Sequence, residues 1–183
     1  SAIVSVDGGL VVAVADDPGM HSSQNEQDSR CLADFARIIC LEPADQQQAY
    51  DMARDAFEIS ERFNVPVLLR LVTRLAHSRA VVKTGEAAAE NDRAKCTRYG
   101  GWMLLPAMAR KNFAALVEKQ TELKSYTEEC GHNVLTINDA NDEIGVITSG
   151  IARNYFLENA DEMDNRPSHL HIGAYPIPVE KVK

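Results

Sequence analysis

The sequence lacks closely spaced cysteines. Cys31, Cys40, Cys96 and Cys130 stand alone, with no CxxC among them. That disfavours a zinc or iron–sulfur centre held by this chain alone. Isolated cysteines also suit a reducing, cytoplasmic setting. A basic excess is missing too. The 19 Lys and Arg residues face 27 Asp and Glu, giving a net charge of −8, which speaks against nucleic acid as a partner. No apolar run approaches the ~18 residues of a membrane span, and no basic n-region precedes an apolar h-region. The Walker lysine, GxGxxG and GxSxG are absent as well.

What is present reads as α/β. Leu10 to Ala15 is continuously apolar, the pattern of a parallel strand buried between neighbours. Asp16-Asp17-Pro18-Gly19 ends it as a turn. Cys31, Leu32, Phe35 and Ala36 then recur at helical spacing. Ile38 to Leu41 is a second strand. Asp45 is placed to cap the Gln48 amide, with Gln48 where a capping box wants its glutamine. Ala49, Met52, Ala53, Ala56, Ile59 and Phe63 form one helical stripe that Asn64 closes. Pro66 to Leu71 is a third strand, completing a βαβαβ series and a mostly parallel sheet flanked by helices.

Periodicity fades from His77 to Gly101, and Gly85 to Asp92 reads as a connector. After Leu105-Pro106 comes a long helix. Phe113, Leu116, Val117, Leu123 and Tyr126 mark its apolar stripe, and Lys111, Glu118, Lys119 and Lys124 its wet side. A second α/β unit starts near Asp142, with strand Ile144 to Thr148, a Ser149-Gly150 turn, a helix from Ile151 and strand His169 to Gly173. The expected division is 3–80, 81–141 as linker, and 142–183. Ser1-Ala2 reads as a tag scar. The apolar strand so near one end, and Tyr175 to Glu180 leading toward a helix at the other, read as a piece of a longer protein. The uncovered strand edge of such a piece would self-associate.

The densest polar run, Asp16 to Arg30, leaves the C-terminal end of a strand, where open α/β sheets bind ligands. It reads either as a site or as ordinary helix capping. His21 suits acid–base work, or merely shapes the loop. Arg30 either meets a ligand or pairs with Asp28 or Glu26. Arg70 or Arg74 either holds a carboxylate ligand or links to Asp16 or Asp17. His169 and His171 share a strand face, but no third ligand is spaced for a metal, so packing is the better account. Thr148-Ser149-Gly150 is a weak phosphate cradle.

The run from Val11 to Arg30, with its Asp16-Asp17-Pro18-Gly19-Met20-His21-Ser22-Ser23-Gln24-Asn25-Glu26-Gln27-Asp28-Ser29-Arg30 core, resembles the alpha subunit family of indolepyruvate:ferredoxin oxidoreductases. Leu41-Glu42-Pro43, Gln48 to Met52, Ala56 to Glu61, Pro66 to Arg70, Thr73-Arg74, His77 to Arg79, Leu105 to Arg110 and Ile144 to Gly150 continue the resemblance. It implies a thiamine-diphosphate enzyme, with Mg²⁺ and iron–sulfur clusters in the intact protein. Such an enzyme converts aryl pyruvates and CoA to aryl-acetyl-CoA and reduces ferredoxin, with a beta subunit as partner.

The fold implied is the end of a pyrimidine-binding-type domain followed by the start of a transketolase C-terminal-like domain. The GDG…NN diphosphate motif, the CxxCxxCxxxCP segment and the cofactor-activating glutamate are not in this chain. No cofactor is therefore expected on it by itself, and no activity. The resemblance makes Met20 to Gln27 an active-site loop. His21, Ser22 and Ser23 would contact the substrate carboxylate or its developing negative oxygen. Met20, Gln24, Asn25, Glu26 and Gln27 would face the cofactor, and Arg30 and Arg70 would be candidates for the substrate carboxylate. Other acyl specificity, or a non-catalytic docking or regulatory module, are the alternatives.

Overall fold

The computed structural model describes residues 6–87, 103–140 and 143–183. Ser1-Ala2, Cys96, Asp142 and the Ala88 to Asp92 part of the expected connector lie outside them.

Two sheets carry the fold. The first holds β1 (Val11–Asp16), β3 (Val67–Val72), β2 (Ile39–Leu41) and β7 (Ala174–Tyr175), in the spatial order β1-β3-β2-β7. β1 and β2 both run parallel to β3, and β7 is antiparallel to β2. α1 (Arg30–Ala36) and α2 (Gln46–Phe63) are the crossovers. One face of the sheet packs Ile39, Leu41, Val67 and Leu69 against Met52 and Ala56 of α2 and Leu123 of α4 (Pro106–Glu129). The other packs Cys40 and Leu68 against Ala33 of α1. α3 (Thr73–Ala76) follows β3 directly.

Local chemistry sets these elements. Asp45 accepts the Gln48 amide at 2.8 Å, as expected, while the Gln48 side chain reaches one residue further back, to the Ala44 amide at 2.9 Å. Asn64 ends α2 in the left-handed conformation at φ 51°, a state asparagine tolerates.

Three apolar expectations need correction. β1 is an edge strand, since among the described residues only β3 pairs with it, and Val12 is exposed. A continuous apolar run does not distinguish an internal strand from an edge strand. α1 buries only Ala33, leaving Leu32 and Phe35 exposed. On α4, Leu116 and Leu123 are buried, but Phe113 and Val117 face outward. The contact surface of α4 is therefore narrower than its apolar stripe.

The second sheet has the order β4-β6-β5, from β4 (Asn133–Thr136), β5 (Gly145–Ser149) and β6 (Ser168–Ile172). β6 is antiparallel to β4 and parallel to β5. α5 (Ala152–Ala160) covers one face, stacking Phe156 on His169 with ring centroids 4.2 Å apart. β4 lies inside the stretch read as linker, and β7, from the second unit, joins the first sheet. Buried Asn133 manages that crossing. Its amide nitrogen donates to the Thr127 and Ala174 carbonyls at 2.8 and 3.0 Å, and its oxygen accepts the Gly173 and Ala174 amides, both at 2.9 Å. The short α6 (Val179–Val182) ends the chain.

Candidate functional site

The polar run emerges from the C-terminal end of β1, beside the ends of β2 and β3 and the β5–α5 turn. Its first bend is a type II turn. The Met20 amide donates to the Asp17 carbonyl at 3.1 Å, with Pro18 and then Gly19 at φ 83° in the middle. The second central position needs glycine. Met20 is also left-handed, at φ 54°, which strains a side chain longer than glycine.

The loop divides into side chains that hold its shape and side chains that it presents. Asp17 accepts the Ser22 and Ser23 amides at 2.7 and 2.8 Å and the Thr73 hydroxyl at 2.5 Å. Those bonds, that from Thr73 first, hold its carboxyl well below the usual range. Gln27 accepts the Asp17 amide at 3.1 Å and Glu26 the Gly19 amide at 2.8 Å. Ser23 donates its hydroxyl to the Asn25 carbonyl at 3.0 Å. Asp16 accepts both the amide and the hydroxyl of Ser29, at 2.8 and 2.6 Å. Met20, His21, Gln24 and Asn25 project outward with exposed side chains, and so does Ser22. Of the five residues expected to face a cofactor, then, Glu26 and Gln27 are spent on the loop itself.

The arginines resolve toward internal pairing. Arg70, 4% exposed, donates from Nε to Asp16 at 2.5 Å and from Nη1 to Glu42. Burial alone would raise the Asp16 carboxyl, but the Ser29 and Arg70 hydrogen bonds outweigh it and leave the group below its ordinary value. Arg30 grips both oxygens of Asp28, at 2.8 and 2.7 Å, and reaches the Ser149 hydroxyl at 3.1 Å. This pairing lowers the Asp28 carboxyl and raises the Arg30 guanidinium. Both candidates for a substrate carboxylate are thus already paired with carboxylates of their own chain. Arg74 lies over the Tyr155 ring instead, 5.5 Å from its centroid.

Glu42 and Tyr175 are the residues that sequence reasoning missed. Tyr175 donates its hydroxyl to Glu42 at 2.8 Å. Burial, and then the Glu42 charge, push that phenol up to about 12. Gly150, at φ 48°, turns directly above: a Cβ there would stand 2.5 Å from a Glu42 oxygen. The available signal was positional, because Glu42 follows β2 at the same sheet edge as Asp16. Away from this edge, His169 meets the Thr148 hydroxyl at 2.7 Å, and both nitrogens of buried His171 lack a partner. Among the described residues no three His, Cys, Asp or Glu side chains converge to hold a metal, and no helix is long and apolar enough to cross a membrane.

A polar loop anchored at the carboxyl edge of a largely parallel sheet is the arrangement by which open α/β domains present groups to ligands. The fold superposes on 2-oxoglutarate:ferredoxin oxidoreductase from Magnetococcus marinus, solved with 2-oxoglutarate, coenzyme A and succinyl-CoA bound. The TM-score is 0.63 and the identity 16%, over 99% of this chain and 40% of that one. No family model matches the chain. Its sequence is 37% identical to indolepyruvate oxidoreductase subunit IorA of Methanothermobacter thermautotrophicus over 100% of its length, and 35% identical to that of Archaeoglobus fulgidus over 97%. The chain matches the alpha-subunit family of these 2-oxoacid:ferredoxin oxidoreductases. It spans 30% and 29% of the length of those two relatives.

Proposed function

We propose that this chain is part of an oxidoreductase that decarboxylates aryl pyruvates, forms the aryl-acetyl-CoA thioester and reduces ferredoxin, together with a beta subunit. On this reading residues 3–80 close a pyrimidine-binding-type domain and residues 142–183 open a transketolase C-terminal-like one. The observation that carries the reading is the division of the β1–α1 loop. Asp16, Asp17, Glu26, Gln27 and Thr73 fix its backbone, so that Met20, His21, Ser22, Gln24 and Asn25 are presented at the sheet edge. Preorganised donors contribute most where charge develops during reaction.

These exposed groups fit contacts to a 2-oxoacid or to an organic cofactor. The described residues do not fit a Mg²⁺ cage. Thiamine diphosphate, held mainly by other parts of the subunit, would supply the carbanion chemistry. The chain's own part is positional. His21 donates to the substrate oxygen that gains negative charge, Ser22 offers a neutral donor beside it, and Gln24 and Asn25 orient the imidazole. Ser23, whose hydroxyl is given to the Asn25 carbonyl, keeps the loop in shape.

In the intact enzyme, His21→Gln should lower kcat at least about tenfold with thiamine diphosphate affinity nearly unchanged. A kcat within about twofold of wild type from about pH 6 to 9 would reduce His21 to a loop-shaping residue. The 183-residue chain alone, given indolepyruvate, thiamine diphosphate and CoA, should reduce ferredoxin or viologen no faster than a protein-free blank.

A further inference from the structure

The loop is anchored twice, and the two anchors have different sources. Its first half hangs on Asp17, which is fixed locally by Thr73. Its far end, Ser29, hangs on Asp16. Asp16 is held by Arg70, Arg70 by Glu42, and Glu42 by the Tyr175 hydroxyl. That path crosses the sheet from β7 through β2 and β3 to β1, and every step is a direct hydrogen bond. Arg30 runs beside it, 3.7 Å from the second Glu42 oxygen and bonded to Ser149. Asp16, Glu42 and Arg70 are buried, so the loss of one member leaves its neighbour with a desolvated, unmatched charge.

We propose that Glu42 and Tyr175 are positioning residues for the working loop: through Arg70 and Asp16 they set where α1 begins and where the loop's distal half lies. β7 thereby becomes part of the site's scaffold, although it is more than 130 residues from Glu42 in sequence. The functional consequence rests on the loop being the working edge, but the coupling itself does not.

The measurement is amide hydrogen exchange by NMR on this chain, comparing the Ser29 amide with those of Ser22 and Ser23. Tyr175→Phe removes one oxygen and should speed Ser29 exchange about fivefold, the equivalent of one ordinary hydrogen bond. Glu42→Gln should speed it at least about tenfold, with Ser22 and Ser23 changing less than about twofold. A merely structural role would speed all three amides together, and that result overturns the proposal. So does Ser29 exchange within about twofold of wild type in Tyr175→Phe, the variant that decides if Glu42→Gln fails to fold. Because the readout is loop exchange, normal kcat in His21→Gln would refute the catalytic reading and leave this result standing.

Discussion

Arg70 in the first sheet and His171 in the second are both buried polar side chains, 4% and 2% exposed, with opposite surroundings. Arg70 meets two carboxylates that have further donors of their own. His171 sits in β6 with neither ring nitrogen bonded. Burial, the largest influence, drives its imidazole down to about 4, with Arg153 adding to the effect. His171 therefore remains neutral, whereas the first sheet keeps its charges. Equal depth carries charge in one sheet and expels it in the other, because only the first has built the partners.

The strongest way to break this contrast is to remove the cation. Arg70→Met should cost about 3–5 kcal/mol in urea unfolding, because it strands Asp16 and Glu42 in a dry site. Adding Glu42→Gln should recover part of the loss. A single-variant loss under about 1 kcal/mol would show that Ser29 and Tyr175 satisfy the acids without Arg70.

Acid should separate the two regions next. An imidazole that titrates near 6.5 when unfolded and near 4 when folded binds more protons unfolded across that window. Stability should therefore fall by about 3 kcal/mol as pH drops from 6.5 to 4, then level for this group. The groups around His171 are Arg153, His169 and His132, which oppose its protonation, and Asp45, which favours it. Asp16, with its carboxyl lowered, contributes stability that is full above its unfolded value and fades only below about pH 3.8. The second sheet should thus weaken before the first. Between about pH 6.5 and 4 the wild type should lose about 3 kcal/mol in urea unfolding relative to His171→Leu, which lacks the titrating group. Parallel pH profiles would refute the assignment to His171.

Part of this architecture was legible in sequence. β1, β3, the Asp45-capped α2, α4 and the β5–α5–β6 series follow from apolar runs and caps, and alternation put His169 and His171 on one face. The contribution of α4 to the core was overestimated, because periodicity at Phe113 and Val117 marks an apolar side without showing what covers it. β7 was not legible: two residues hold no periodicity, and their pairing with β2 depends on Asn133 far away in sequence. The candidate site was half legible. Its polar run stood out, but the division between anchors and presented groups depends on backbone amides, which no residue pattern names.

The smallest expected effect isolates backbone strain from polar pairing, at Met20. Its φ of 54° is left-handed, a conformation that costs an ordinary L-residue roughly 1–2 kcal/mol. Glycine escapes that penalty, but its freer unfolded chain gives back roughly 0.5–1 kcal/mol. Met20→Gly should therefore stabilise the chain by about 0.5 kcal/mol, raising Tm by about 1–2 °C. Met20→Ala removes the same exposed side chain and keeps the strain, so it should show no gain. Met20→Gly at or below Met20→Ala in Tm would mean that the turn is not strained at this position. If the gain appears, the loop tip is held in its shape by its anchors against its own backbone preference. That is the behaviour expected where Asp17 and Glu26 pin the amides of Ser22, Ser23 and Gly19 on either side of the tip.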